Sequence, residues 1–225
     1  MVLAPRRGPR RGGGAPSFAD YAYGALGQEY LLLCSLARQG APVVPPVPGS
    51  LRTYEQQKGE GGEDGGGGGG GGGGYAMACV CTPVAVDSLL RCREAFAALA
   101  ALHAHGVAHG DARLANLMQL PENAPSPRPQ LAWIDVRTAF GGSSGSGSSD
   151  GSSVLALLQQ LQREDASVLA RSVLRVGADG EAPPRVAAAA QQWDASSAGA
   201  VAALAEAVWE AAAAGSSGGL RWESE

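Results

Sequence analysis

Four chemically committed side chains fall within one short stretch, His109-Gly110-Asp111-Ala112-Arg113-Leu114-Ala115-Asn116, and a further carboxylate, Asp135, follows Trp133 and Ile134. A stretch this short is not a stable element by itself, so its residues matter for what they can converge on. Two carboxylates, a carboxamide and a guanidinium suit phosphoryl transfer. A phosphoryl group in flight carries spread negative charge; its catalyst needs hard oxygen ligands for magnesium, a cation, and a carboxylate beside the incoming hydroxyl. The competing reading is a solvated turn after a helix, with Asp and Asn present because they tolerate turn geometry.

The pattern His109-Gly-Asp111-x-Arg113-x-x-Asn116, then a short hairpin and Ile134-Asp135, resembles the catalytic loop and metal-binding segment of the protein-kinase-like superfamily. Gly110, giving HGD where most protein kinases have HRD, is similar to the branch with atypical kinases and aminoglycoside or choline phosphotransferases. The resemblance implies that Asp111 orients the acceptor hydroxyl and takes its proton, and that Asn116 and Asp135 hold magnesium on the phosphates of ATP. It implies that Arg113 offsets charge on the transferring group and that His109 is a structural support.

These residues need elements to position them. Asp87 is the expected cap of a helix whose Leu89, Cys92, Phe96, Leu99 and Leu102 or His103 make an apolar stripe, with Gly106 as its end. Leu117–Leu120 and Leu131–Val136 read as short strands around a Pro-rich loop, Pro121–Pro129, so that a hairpin returns Asp135 to Asn116. Upstream, Leu26, Tyr30, Leu33 and Ala37 recur at helical spacing over Tyr21–Arg38, and Gly40 and Pro42 supply a stop. Glu29 flanks that stripe, and the Ala41–Pro48 run after it is extended. Tyr75–Cys81 alternates like a strand that Thr82-Pro83 ends. By the resemblance, Glu29 matches the helix glutamate that pairs with a strand lysine, and Met77 or a neighbour lines the adenine pocket. Each also has a plain reading, an acid at a helix edge and a core strand residue.

Downstream, Asp150 with Val154, Leu155, Leu157, Leu158 and Leu161 is expected to form the buried central helix of the helical lobe, its aspartate tying back to the catalytic loop or capping the helix. Ala166–Val176 and Ala187–Ala214 read as alanine-rich helices, with Trp193 and Trp209 as packing anchors.

Composition bounds the rest. The net charge is −4 over 225 residues and the only early basic cluster is Arg6, Arg7, Arg10 and Arg11, so no broad cationic face for nucleic acid is implied. No apolar run is long enough to span a bilayer. Cys34, Cys79, Cys81 and Cys92 sit in apolar segments without zinc-type spacing and read as reduced, buried thiols of a cytoplasmic chain. His103, His105 and His109 are poorly placed at a helix end to share one metal ion. An organellar transit peptide is an alternative reading of the arginine-rich start.

The expected organisation is a disordered basic arm over residues 1–16, a remnant of the N-lobe over 17–58, a glycine-rich linker over 59–74, and the last N-lobe strand, hinge and helical C-lobe over 75–225. Ten consecutive glycines end at Gly74. The expected fold is α+β, protein-kinase-like and two-lobed, with a mostly helical C-lobe and a reduced N-lobe. The chain departs from the family pattern in several places. Its single lysine is Lys58, in a polar glycine-rich stretch, and no glycine-rich phosphate loop with strand flanks precedes Glu29. Asp135-Val-Arg137 lacks the usual glycine, Gly141–Ser149 replaces an activation loop, and no Ala-Pro-Glu signature follows. Three functional readings result: an ATP- and magnesium-dependent phosphotransferase acting on a hydroxyl-bearing protein or small molecule, an inactive pseudokinase or interaction module, or a fragment of a longer kinase.

Overall fold

The computed structural model describes residues 18–54, 72–74, 76–77, 81–121, 130–137, 151–177 and 180–216. The basic arm, most of the glycine tract, Cys79, the Pro121–Pro129 loop beyond its first residue, Gly141–Ser149 and Asp150 lie outside the described residues. The protein is an α+β assembly of five α-helices and small antiparallel sheets among those residues: α1 (Phe18–Arg38), β1 (Arg52–Tyr54), β2 (Gly72–Gly74), β3 (Thr82–Pro83), α2 (Leu89–His103), β4 (Leu117–Gln119), β5 (Leu131–Trp133), α3 (Gly151–Val173), α4 (Pro184–Gln191) and α5 (Ala198–Ser216). No helix among them is long and apolar enough to cross a membrane.

Helix α2 is the spine. Its stripe of Cys92, Phe96, Leu99, Leu102 and His103 is buried, and burial of the three large apolar side chains is worth roughly 1.5–3 kcal/mol apiece. Ala98 and Ala100 are also buried, and α5 packs against α2 with Leu204, Ala205 and Val208 buried in the same core. The cap is Ser88, not Asp87. Ser88 is where the chain is still extended (φ −148°, ψ 158°), and its hydroxyl accepts from the Arg91 N–H at 3.2 Å. The helix stops at His103, and Gly106 (φ 72°) turns the chain into the motif.

The sheet β3-β4-β5 lies beside α2, with Leu117 opposite Trp133 and Gln119 opposite Leu131. Thr82-Pro83, expected to end a strand, is itself the edge strand β3, paired to Gln119 and Met118. An edge tolerates Pro83 because the missing N–H leaves no central ladder bond unmade. On the other side the extended segment after α1 joins β5 in parallel: the Trp133 N–H donates to the Pro42 carbonyl and the Val44 N–H to the Trp133 carbonyl, at 2.8 and 2.9 Å. Helix α1 turns into that segment at Gly40 (φ 80°), with Leu33 and Leu36 buried. The end of the glycine tract is not all linker. Gly72–Gly74 pairs with Arg52–Tyr54, since glycine retains both backbone groups needed for a ladder.

Three expectations in the helical part fail instructively. Val154, Leu155 and Leu157 are exposed, and the buried face of α3 lies further on, at Asp165, Ala166, Leu169, Ala170 and Val173. The presumed separate helix from Ala166 is the second half of α3, and the alanine-rich stretch after Ala187 is divided between α4 and α5 by a turn at Trp193–Ser197. There the Asp194 carboxylate accepts from the Ser196 N–H and hydroxyl and competes with helix geometry.

Candidate functional site

The motif runs from the end of α2 to the start of β4, with a short 3-10 turn at Leu114–Asn116. Gly110 adopts φ 81°, which explains glycine where a larger residue would be strained. Leaving that turn, the Asn116 carbonyl accepts from the Ile134 N–H at 3.0 Å, which fastens β4 to the residue preceding Asp135. The Arg137 N–H then donates to the His109 carbonyl at 2.8 Å. Backbone bonds at both ends therefore hold Asp135 against the motif.

Asp111, Arg113, Asn116 and Asp135 converge. Asn116 Nδ2 donates to the Asp111 carbonyl at 2.9 Å and to Asp111 Oδ2 at 3.3 Å. Arg113 forms a two-pronged pair with Asp111, both contacts at 2.7 Å. Arg137 forms a second fork with Asp135, at 3.2 and 2.6 Å, and stands 3.7 Å from Asp111 Oδ2. The Arg113 fork holds the Asp111 carboxyl below the usual carboxylate range; partial burial opposes this, and Arg137 and Asn116 add to it. Asp111 is thus an ionised, poorly basic group suited to orienting a hydroxyl. Asp135 sits at φ 58°, a left-handed backbone conformation costly for a non-glycine residue and one that recurs where a side chain is aimed for function.

Asp135 and Asn116 offer a donor set for a hard cation. The Asn116 amide nitrogen is engaged with Asp111, and its Oδ1 accepts no bond from the described residues. An amide oxygen and a carboxylate on adjoining strand ends are ligands magnesium takes, so the chemistry of the site fits that ion. Glu29, half-buried on α1, contributes to the negative field around Arg137. Met77 is half-buried, bridges to Pro46, and packs with Cys81, Met118 and Ile134 on a small cluster of Val44, Leu120 and Ala132. That apolar patch is continuous through β4 with Asn116 and through β5 with Asp135.

The largest omission from the sequence reading is Asp165. This buried aspartate on α3 ties to the motif: its Oδ2 accepts from the His109 N–H at 2.6 Å and its Oδ1 from the Gly110 N–H at 3.0 Å. His103 Nε2 lies 3.1 Å from the same Oδ2, while the Trp193 indole N–H donates to His103 Nδ1 at 3.0 Å. With Nδ1 accepting, the neutral ring carries its proton on Nε2 and gives it to Asp165. Trp193 is therefore more than packing. Gln162 adds bonds to the His103 and Val107 carbonyls at 3.1 Å each, and the Ser172 hydroxyl accepts from the Leu114 N–H at 2.9 Å.

No protein-family model, curated protein or solved structure matches the chain. The case for function therefore rests on the site.

His109 is fully buried, edge-on to Trp133 at 4.8 Å, and its Nδ1 accepts from the Asp111 N–H at 3.3 Å. Burial pushes the imidazole below its ordinary value, against the pull of Asp165, Asp111, Asp135 and the Ile134 backbone. It supports the loop from within. Cys92 is likewise inert: burial raises its thiol to about 12, and its sulfur faces the Ala205 carbonyl. Cys34 and Cys81, expected to be buried, are only half-buried, because neither lies in the main core that holds Cys92.

Proposed function

We propose that the chain is a protein-kinase-like phosphotransferase that moves the γ-phosphoryl group of ATP to a hydroxyl acceptor. The observation carrying this reading is the convergence of Asp111, Asn116 and Asp135, linked by Asn116 and Arg137, with Asp135 in a strained conformation pinned by backbone bonds on both sides. In this reading α1, the extended segment after it and the β1–β2 pair are a reduced N-lobe. Helices α2–α5 and the β4–β5 hairpin are the C-lobe. Magnesium, held by Asp135 and Asn116, would neutralise charge on the phosphate oxygens.

The chain's own residues divide the remaining work. Asp111, ionised and fixed by Asn116, accepts a hydrogen bond from the acceptor hydroxyl, aims its oxygen and takes its proton as the new O–P bond forms. Arg113, largely exposed beside Asp111, leans toward charge on the transferring group. Met77, Met118 and Ile134 offer an apolar surface for the adenine ring, next to the metal-binding end of each strand. The acceptor is a protein or small molecule bearing a hydroxyl.

The test has two variants. Asp111→Asn should lower phosphoryl transfer by roughly 10²–10⁴-fold while leaving nucleotide binding nearly intact. Asp135→Ala should abolish the magnesium-dependent rise in melting temperature with ATP, which for a wild-type site at one hundred times Kd is worth about 2.7 kcal/mol. Turnover unchanged in Asp111→Asn would sink the assignment. A second reading, an inactive pseudokinase, is favoured by one observation: each carboxylate is already paired with an arginine fork. Wild-type protein that folds cooperatively but gains nothing from ATP and magnesium would select it.

A further inference from the structure

The site has a second cation whose placement the transfer chemistry does not require. Arg137 follows Asp135 by two residues, and its backbone N–H is fixed to the His109 carbonyl, yet its side chain is 57 % exposed. Its guanidinium spans Asp135 at 2.6 Å and Asp111 at 3.7 Å, and Glu29 of α1 adds to the same negative field. Three carboxylates thus act on one arginine. Arg113 makes the equivalent fork on Asp111, with Asp135 adding to the field around it. The formal charges of Glu29, Asp111, Asp135, Arg113 and Arg137 leave one net negative charge, which a divalent cation turns into one net positive charge that attracts a polyphosphate.

We propose that Arg137 is the phosphate-binding cation of this site, resting on Asp135 and Asp111 when no nucleotide is bound and turning to the ATP polyphosphate when magnesium takes its place on Asp135. This rests on the phosphotransferase reading and names the residue that anchors its nucleotide. The chain's single lysine, Lys58, belongs to the segment outside the described residues, so the described part of the site has only guanidinium groups for this duty. A guanidinium matches it: its planar fork can exchange two carboxylate oxygens for two phosphate oxygens with little change in geometry. Anchored by its backbone and with an exposed side chain, Arg137 can make that exchange without moving β5.

Calorimetric titration of the full chain with manganese alone, adenosine, and magnesium-ATP tests this on wild type, Arg137→Ala and Arg137→Lys. Arg137→Ala should weaken magnesium-ATP at least tenfold and leave adenosine within twofold. It should also bind manganese alone several-fold more tightly, because the resident cation competing for Asp135 is gone. Arg137→Lys should recover part of the ATP affinity. Magnesium-ATP bound by Arg137→Ala within twofold of wild type overturns the proposal while leaving the phosphotransferase reading intact. Adenosine weakened as much as ATP also overturns it, because the loss then reports a damaged site. Wild type that binds no magnesium-ATP refutes both.

Discussion

Asp165→Asn isolates the tie between the helical layer and the motif without changing side-chain shape. The carboxylate receives three donors: the His109 N–H and His103 Nε2 on one oxygen, the Gly110 N–H on the other. Asparagine offers only one acceptor oxygen. Its better orientation keeps that oxygen on His109 and His103 and turns its amide against the Gly110 N–H, donor facing donor. The reverse is worse, because His103 cannot relieve the clash by moving its proton to Nδ1 while the Trp193 indole donates there. The retained bonds lose their charge assistance, and the disrupted one leaves a partly buried N–H unpaired, together about 2–3 kcal/mol. Against a total stability of roughly 5–15 kcal/mol this is large. With a urea slope of about 2 kcal/mol/M, the unfolding midpoint should fall by about 1–1.5 M. An unchanged slope with a shift under about 0.25 M would refute the claim that Asp165 carries the loop.

Gly110→Ala should destabilise by about 1–2 kcal/mol, read from the same urea curves, because φ 81° is costly for a residue with a Cβ. His109 makes stability pH-dependent. The unfolded imidazole takes a proton near its ordinary 6.5 and the buried one resists, so stability is fullest at neutral pH and falls as pH drops below 6.5. At pH 5.5 the loss from this residue is at most about 1.4 kcal/mol, and His109→Gln should flatten the urea midpoint over that window. Asp111 acts in a separate window: its depressed carboxyl contributes stability above the ordinary carboxylate range that is lost on further acidification.

The site's chemistry and its supports were unequally visible in the sequence. Asp111, Asn116 and Asp135 could be brought together on paper because the segments joining them are short and strongly patterned, the turn from Gly106 and the β4–β5 hairpin. The buried face of α2 was readable for the same reason. On α3 the pattern misled. Val154, Leu155 and Leu157 form the denser apolar run, yet they are exposed, while the buried face is a sparser set, Ala166, Leu169, Ala170 and Val173, beside one aspartate. Hydrophobicity ranks Leu above Ala, yet Ala166 and Ala170 are buried beside Leu169 and Val173 while Leu155 and Leu157 of the first turns face solvent. Ser88 against Asp87 is a smaller case: both residues can cap, and only the backbone angles at the turn decide.

The polar residues that face the motif from α3, Gln162, Asp165 and Ser172, fall three and seven positions apart, which keeps them near one helical face. Each meets a different part of the same segment: Gln162 donates to the carbonyls of the chain as it leaves α2, Asp165 holds the two residues before Asp111, and Ser172 holds Leu114 beyond Arg113. A solvated turn would gain nothing from such a stripe, since water would satisfy those backbone groups at no cost in buried polar atoms. Burying a carboxylate to hold two backbone N–H groups makes sense only where the loop's shape must be fixed. The cost of Asp165 is therefore an argument for function at Asp111, independent of the motif's residue types.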